Sequence, residues 1–328
     1  MLKGFYKKLV PPLFTLAPLA NVTDAAFRRI IAKHGKPDIM YTEFVSCDGL
    51  CSEGREKLLL DFLYTDSERP IVAQIFGSKP DNFYKTALLI QELGFDGIDI
   101  NMGCPEKNVI RQGAGAALIK EPELAKKIIK ETMRGAGNLP ISVKTRIGYT
   151  KNTLQEWLPH LLETQLAAIT IHGRTMKEMS LVPAHWDVIG DGVQIAKRYD
   201  SSSQRTLIIG NGDVQDLNEA KAKVLQYGVD GVMIGRGIFG NPWLFNQEKD
   251  LASITIEEKL SAMVEHTFIF EKLFSGKKPF DLMKKHYKAY VAGFDGAKEL
   301  RVKLMSASMA DEVYSIVNEA YSIPKLSV

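Results

Sequence analysis

Residues Gly94 to Leu118 read GFDGIDINMGCPEKNVIRQGAGAAL. Within them a short apolar run, GIDINMG (Gly97 to Gly103), ends in polar residues, a cysteine and a proline. The segment before it, DNFYKTALLIQELG, and the segment after it, EPELAKKIIKETM, space their apolar residues by three or four. A short apolar run between two amphipathic helices reads as one strand of a βαβ series. The unit recurs along the chain. Further runs are LFTLAPLA (Leu13 to Ala20), IMYTEFVS (Ile39 to Ser46), PIVAQIFG (Pro70 to Gly77), PISVKTRIG (Pro140 to Gly148), AAITIHGR (Ala167 to Arg174), TLIIGNGD (Thr206 to Asp213) and GVMIGRG (Gly231 to Gly237). Helical spacing returns between them in DAAFRRIIAKHG, TLQEWLPHLLETQ and LNEAKAKVLQYG. Eight strands alternating with helices over about 240 residues predict an α/β protein of the (β/α)8 TIM-barrel type. A doubly wound sheet is the alternative, and the count of eight argues against it.

The remaining chain sets the context. Its 328 residues are 45% hydrophobic and 25% charged with a net charge of +3, which is globular composition and does not by itself indicate a nucleic-acid binder. Cys47, Cys51 and Cys104 are too few for a disulfide framework, and the odd count fits a reducing, cytoplasmic compartment. The N-terminal MLKGFYKKLVPPLFTLAPLA is broken by Pro11, Pro12 and Pro18, unlike a signal or membrane helix. After NPWLF (Asn241 to Phe245) only helical spacing follows, from Glu257 to Ala320. Two domains are therefore expected, a barrel over 1–245 and a helical unit over 246–328. In the second, Lys272 to Lys303 holds nine Lys or Arg against Asp281, Asp295 and Glu299, a candidate basic face or a merely solvated one. SSSQR (Ser201 to Arg205) reads as an exposed connection.

A barrel gathers its site at the C-terminal ends of its strands, and the chemistry-bearing residues lie there. The glycine-rich IIGNGDV and MIGRGIFG would end the last two strands, where backbone N–H groups can approach a phosphate. A cofactor anchored so would lie across the mouth toward Lys144 and His172, whose positive or donating groups suit a reduced, anionic flavin. Cys104, in the loop after the fourth strand, could be a nucleophile, a proton donor, a metal ligand or packing. No second cysteine or histidine stands at ligand spacing beside it, which argues against a metal. Asn101, Gly103 and the Gly113-Ala114-Gly115 run are expected to leave room near the thiol for a flat ligand.

LAPLANVTDAAFR, TEFVSCDGL, PIVAQIFGSKP, GFDGIDINMGCPEKNVIRQGAGAAL, ISVKTRIGY, TIHGRT, IIGNGDV and GVMIGRGIFGNPWLF resemble, in order and spacing, the tRNA-dihydrouridine synthases of bacterial type. The C-terminal MKKHYKAYVAGFDGAKELR is similar to that family's helical tRNA-binding domain. The resemblance implies an FMN-containing barrel that reduces the C5–C6 bond of specific uridines in the tRNA D-loop, with NADPH as electron donor. It implies a monomer when bound to tRNA. Pro18, Leu19 and Ala20 would touch the isoalloxazine, Gln74 would bond its polar edge, and Lys144 and His172 would sit at N1/O2. Asn211, Gly212, Asp213, Gly235 and Arg236 would hold the ribityl phosphate. Cys104 matches the general acid that protonates C5 after hydride reaches C6, and Asn101 and Arg174 match positions beside the uracil or its phosphate.

Two segments depart from the family pattern. Asn21 stands where a glycine is usual, so the loop over the flavin is expected to differ there. MKEMSLVPAHW, after HGRT, stands where a basic or tyrosine-containing segment is commoner, which bears on substrate contacts. Two other readings compete: a barrel acting on a free pyrimidine, which would not need the basic helical appendage, and an RNA-binding protein without catalysis, which would not need Cys104, Lys144 and His172 together.

Overall fold

The computed structural model describes residues 2–201 and 205–323. Its strands are β1 (Leu13–Leu16), β2 (Met40–Tyr41), β3 (Val45–Ser46), β4 (Ile71–Phe76), β5 (Gly97–Met102), β6 (Ile141–Arg146), β7 (Ala168–His172), β8 (Leu207–Asn211) and β9 (Gly231–Ile234). All pairings are parallel, in the order β1-β9-β8-β7-β6-β5-β4-β2. A bridge between Thr15 and Ile39 joins the two ends of that order, so the sheet closes into a barrel. The Ile39 to Ser46 run forms a single barrel stave in two pieces, β2 and β3, both laid against β4.

Strands buried on both faces read as continuous apolar runs, and two hydrophobic clusters line those faces. Tyr6, Leu13, Tyr41, Val72, Ile209 and Met233 belong to the one inside the barrel. Tyr6 comes from the short 3-10 helix Gly4–Lys8, which supplies an aromatic ring to that inner cluster. The outer cluster joins the sheet to its helices: α1 (Ala25–His34), α2 (Pro80–Glu92), α3 (Pro122–Ala136), α4 (Leu154–Leu162), α5 (Trp186–Lys197) and α6 (Leu217–Tyr227). Their starts follow local chemistry. Asp24 and Asp216 accept the backbone N–H of Phe27 and Glu219 at 3.0 and 2.8 Å, while Pro80 and Pro122 occupy first helical positions where no N–H is needed.

Beyond Phe245 come α7 (Ile256–Phe274), α8 (Lys284–Tyr290), α9 (Ala297–Ser306) and α10 (Ala310–Tyr321). A capping box between Thr255 and Glu258 starts α7, which packs on α1 and shares the outer cluster. Of the SSSQR connection, Ser202, Ser203 and Gln204 lie outside the described residues, and Arg205 pairs with Asp230. Among the described residues no helix is long and apolar enough to cross a membrane.

Candidate active site at the barrel mouth

Because side chains alternate along a strand, the register of the sheet decides which polar residues meet inside. Asn101 stands opposite Lys144, Arg146 opposite His172, and His172 opposite Asn211. They line a cavity of about 380 Å³ at the C-terminal ends of the strands, within the size range of small-molecule sites. Pro18, Leu19 and Ala20 enter it from the loop after β1, Cys104 from the loop after β5, and Arg174 from the loop after β7. Gly212 and Asp213 after β8, and Gly235 and Arg236 after β9, complete that side.

Of the residues given a catalytic, cofactor or substrate role in the sequence, Gln74 alone does not line the cavity. It is buried on β4, donating from Nε2 to Asp99 Oδ2 at 2.7 Å and accepting from Asn101 Nδ2 at 3.0 Å. Nor does the Gly113–Gly115 run open space for a ligand. A Cβ on Gly115 would stand 2.8 Å from the Cys104 carbonyl oxygen, so this glycine, at φ +60°, lets the chain pack directly behind the cysteine loop. Residues to which the sequence assigned no individual role also line the cavity: Phe44, Arg146, and Met179 and Ser180 of the divergent MKEMSLVPAHW segment. Arg146 had a signal, a second cation at the end of the strand that carries Lys144; the other three lie on loops that no periodicity marks.

The Cys104 loop is fixed through its backbone. Asn101 Oδ1 accepts the N–H groups of Gly103 and Cys104 at 3.1 and 2.9 Å, and Arg146 Nε donates to the Gly103 carbonyl at 2.7 Å. The thiol is half-buried, and burial raises its pKa above the usual thiol value, outweighing the lowering pull of the Glu106 backbone N–H and of Arg146 and Lys144. Such a thiol keeps its proton at neutral pH, which suits a donor better than a nucleophile.

Cations gather on the facing strands. Lys144 Nζ donates to Asn211 Oδ1 at 2.9 Å, and Asn211 Nδ2 donates to the Met233 carbonyl at 2.8 Å. Burial, then the neighbouring Arg146, brings Lys144 down to about 8. Burial first, and then Lys144, Arg146, Arg174 and Arg236, hold His172 well below the usual imidazole value, so it is neutral. Arg174 Nη1 lies 3.3 Å from His172 Nε2, and arginine only donates, which assigns the ring proton to Nδ1. Asp213 ties Arg174 to Arg236 through its two carboxylate oxygens, the second contact at 2.8 Å.

These residues fit a flavin phosphate ester. Lys144, Arg146, Arg174 and Arg236 face the single carboxylate of Asp213 and leave the cavity with net positive charge, and Gly235 lacks the Cβ that would stand 3.6 Å from Ala17 Cβ within the same cavity. Gly212, at φ +133°, takes a backbone turn that L side chains rarely adopt. Asn21 likewise has φ 54°, a region glycine occupies freely and asparagine tolerates, so its presence in place of a glycine does not require a different turn.

The family model described as dihydrouridine synthase matches residues 15–323. The chain is similar to the "probable tRNA-dihydrouridine synthase 2" of Bacillus subtilis strain 168, 40% identical over 97% of each chain. It is also similar to a "probable tRNA-dihydrouridine synthase" of Staphylococcus aureus strain MRSA252, 39% identical over 97% of this chain and 96% of that one. Among solved structures, histamine dehydrogenase from Rhizobium sp. 4-9 superposes with a TM-score of 0.53 at 11% identity, over 78% of this chain and about half, 48%, of that one. An old yellow enzyme homologue from Zymomonas mobilis gives 0.50 at 14% identity, over 75% of this chain and 91% of that one. At such identities the two structural likenesses speak for the barrel fold alone.

Proposed function

The chain belongs to the dihydrouridine synthase family, and from that premise we propose that it reduces the C5–C6 bond of particular D-loop uridines in tRNA, with FMN at the barrel mouth and NADPH as electron donor. The observation that carries the reading is one cavity that brings together a protonated thiol, the Lys144 and His172 pair, and the glycine-bearing ends of β8 and β9.

The chemistry FMN supplies when bound is hydride for C6 of the uracil. Pro18, Leu19 and Ala20 would pack on its ring. The Lys144 ammonium and a donor on His172 would favour negative charge at the N1/O2 edge, and Gln74, buried below the mouth, would serve the polar edge through Asn101 rather than by touching it. Asn211, Gly212, Gly235 and Arg236 would hold the phosphate. Asp213 would act there by aiming its two arginines, since its carboxylate already serves both.

The substrate base must leave its stack to enter, at a cost of a few kcal/mol. Asn101 and Arg174 would face the uracil or its phosphate. As charge develops on the base, Cys104 Sγ gives its proton to C5. The proton is available because burial disfavours the thiolate. We assign residues 1–245 to this catalytic barrel and 246–328 to a helical unit that grips the tRNA backbone. Lys272, Lys277, Lys288 and Lys298 stay exposed there for phosphate contact. The protein would act in the cytoplasm, one chain per tRNA.

The test is nucleoside mass analysis after incubating the protein, FMN and NADPH with tRNA lacking the modification. Dihydrouridine from tRNA, but none from free uridine or orotate, is the expected result. A reducible bound flavin with no tRNA product would overturn the reading. The Cys104→Ala variant should keep its flavin and lose at least about a hundredfold in turnover, at the low end of general-acid contributions.

A further inference from the structure

The loop that carries the proton donor is held by side chains that reach down into the barrel. Asn101 Oδ1 accepts from the amides of Gly103 and Cys104, and Asn101 Nδ2 donates to Gln74 Oε1. Gln74 Nε2 donates to Asp99 Oδ2 at 2.7 Å, and Ser142 Oγ lies 2.6 Å from Asp99 Oδ1. Asp99, Gln74 and Ser142 are 1%, 0% and 2% exposed, so the links below Asn101 are closed to bulk water.

The two ends of an amide side chain have nearly the same shape and opposite hydrogen-bonding roles. A buried Asn or Gln therefore needs a neighbour to say which way it faces. The two backbone N–H groups demand the oxygen of Asn101, which turns its NH2 toward Gln74. Gln74 must then offer oxygen upward and NH2 downward, and whatever stands at position 99 must accept. A carboxylate oxygen does so; an apolar group in its place would leave Gln74 free to turn over, presenting NH2 to NH2.

We propose that Asp99 is a positioning residue for the proton donor: as the accepting end of the Asp99–Gln74–Asn101 chain, it fixes the orientation of both amides and thereby holds the Gly103–Cys104 backbone and the Cys104 thiol at the cavity. The proposal rests on the reading of Cys104 as proton donor. Its negative charge is not the working property. Burial raises the carboxylate's pKa to about 6, against the hydrogen bonds from Ser142 and Gln74 and the nearby Lys144 ammonium. An uncharged acceptor should serve equally.

The experiment compares Asp99→Asn with Asp99→Leu in a Cys51→Ser background, which removes the exposed thiol. Alkylation of Cys104 by iodoacetamide is followed by mass spectrometry in cofactor-free protein, with buried Cys47 as internal control. Asp99→Leu is expected to speed Cys104 alkylation at least fivefold, leave Cys47 protected, and lower kcat at least tenfold with KM for tRNA unchanged. Asp99→Asn should stay within threefold of the parent in each quantity. Parent-like behaviour of Asp99→Leu, exposure of Cys47 along with Cys104, or an equal loss in Asp99→Asn would each overturn the proposal. Gln74→Leu breaks the chain one link higher and should speed alkylation similarly; it decides the matter if Asp99→Leu does not fold. Full turnover in Cys104→Ala would instead remove the donor reading and leave the alkylation result standing.

Discussion

Lys144 shows what a single residue type in the wrong-looking place can reveal. An ammonium within an apolar strand is costly to bury, and the structure resolves the conflict by aiming it at Asn211 and the cavity rather than at the barrel core. Its pKa near 8 in the free site means that an anion bound beside it would tighten the proton it already holds. Lys144→Met should therefore lower affinity for FMN by about tenfold to a hundredfold, the span of about 1.5–3 kcal/mol for a hydrogen bond to a charged group. Flavin-fluorescence titration of the cofactor-free protein would measure it, and unchanged affinity would remove the contact. Asn21 makes the complementary point about backbone. With φ 54°, Asn21→Gly should change stability by less than about 0.5 kcal/mol, whereas Asn21→Val should cost about 1–2 kcal/mol by thermal denaturation. Lys144, His172 and Cys104 were legible in the sequence because each is chemically anomalous where it stands. The depth of Gln74 was not, since a polar residue in a strand announces an inward face without saying how far below the mouth it lies.

Elements were legible where their period was clean. The eight apolar runs correspond to the eight staves of the barrel, and the helices over DNFYKTALLIQELG and EPELAKKIIKETM fall where their spacing places them. Helix α5 carried no such signal, because Gly190 and Gly192 interrupt its pattern and resemble a turn. Its reason for existing is tertiary: Trp186 lies over β8 and donates from Nε1 to the Gly212 carbonyl at 2.9 Å. This changes the meaning of one glycine in IIGNGDV. Gly210 is a packing residue, since a Cβ there would stand 2.4 Å from Trp186 Cζ3. The indole is buried and hydrogen-bonded, with little freedom to withdraw. Gly210→Ala should accordingly destabilise the protein by about 1–3 kcal/mol, the usual cost of overpacking a core, seen as a lower urea midpoint. An unchanged midpoint would mean that α5 shifts to make room.

At the scale of the molecule, the helical segment is less an appendage than the composition suggested. Lys278, one of the nine cations of the basic window, is spent inside the fold, between Glu43 at 3.3 Å and Asp61 at 2.7 Å, and Lys284 pairs with Asp281. Sequence distance concealed the pairings of Lys278, because its acids lie more than 200 residues away. The same junction holds two imidazoles. His266 of α7 and His286 of α8 lie with ring centroids 4.6 Å apart, each 4.9 Å from Phe27 of α1, and none of their four ring nitrogens has a hydrogen-bond partner among the described residues. Burial keeps both neutral, pulling His286 down to about 3, with Lys285 adding to that shift, and holding His266 well below the usual value. Below about pH 6.5 the unfolded chain takes up protons that the folded chain refuses. Their contribution is thus fully present above pH 6.5 and declines as pH falls, by about 1.4 kcal/mol per pH unit for each histidine. Asp24, Glu43 and Asp99, whose pKa values burial raises, act with the opposite sign at lower pH, so the comparison must be between variants. Between pH 7.5 and pH 5, native protein should lose about 2 kcal/mol more of its unfolding free energy than His286→Phe does, read from urea denaturation at the two pH values. An equal loss in both would show that the pair is already protonated, or already exposed, in the folded state, and that the helices are not sealed against the barrel at this point.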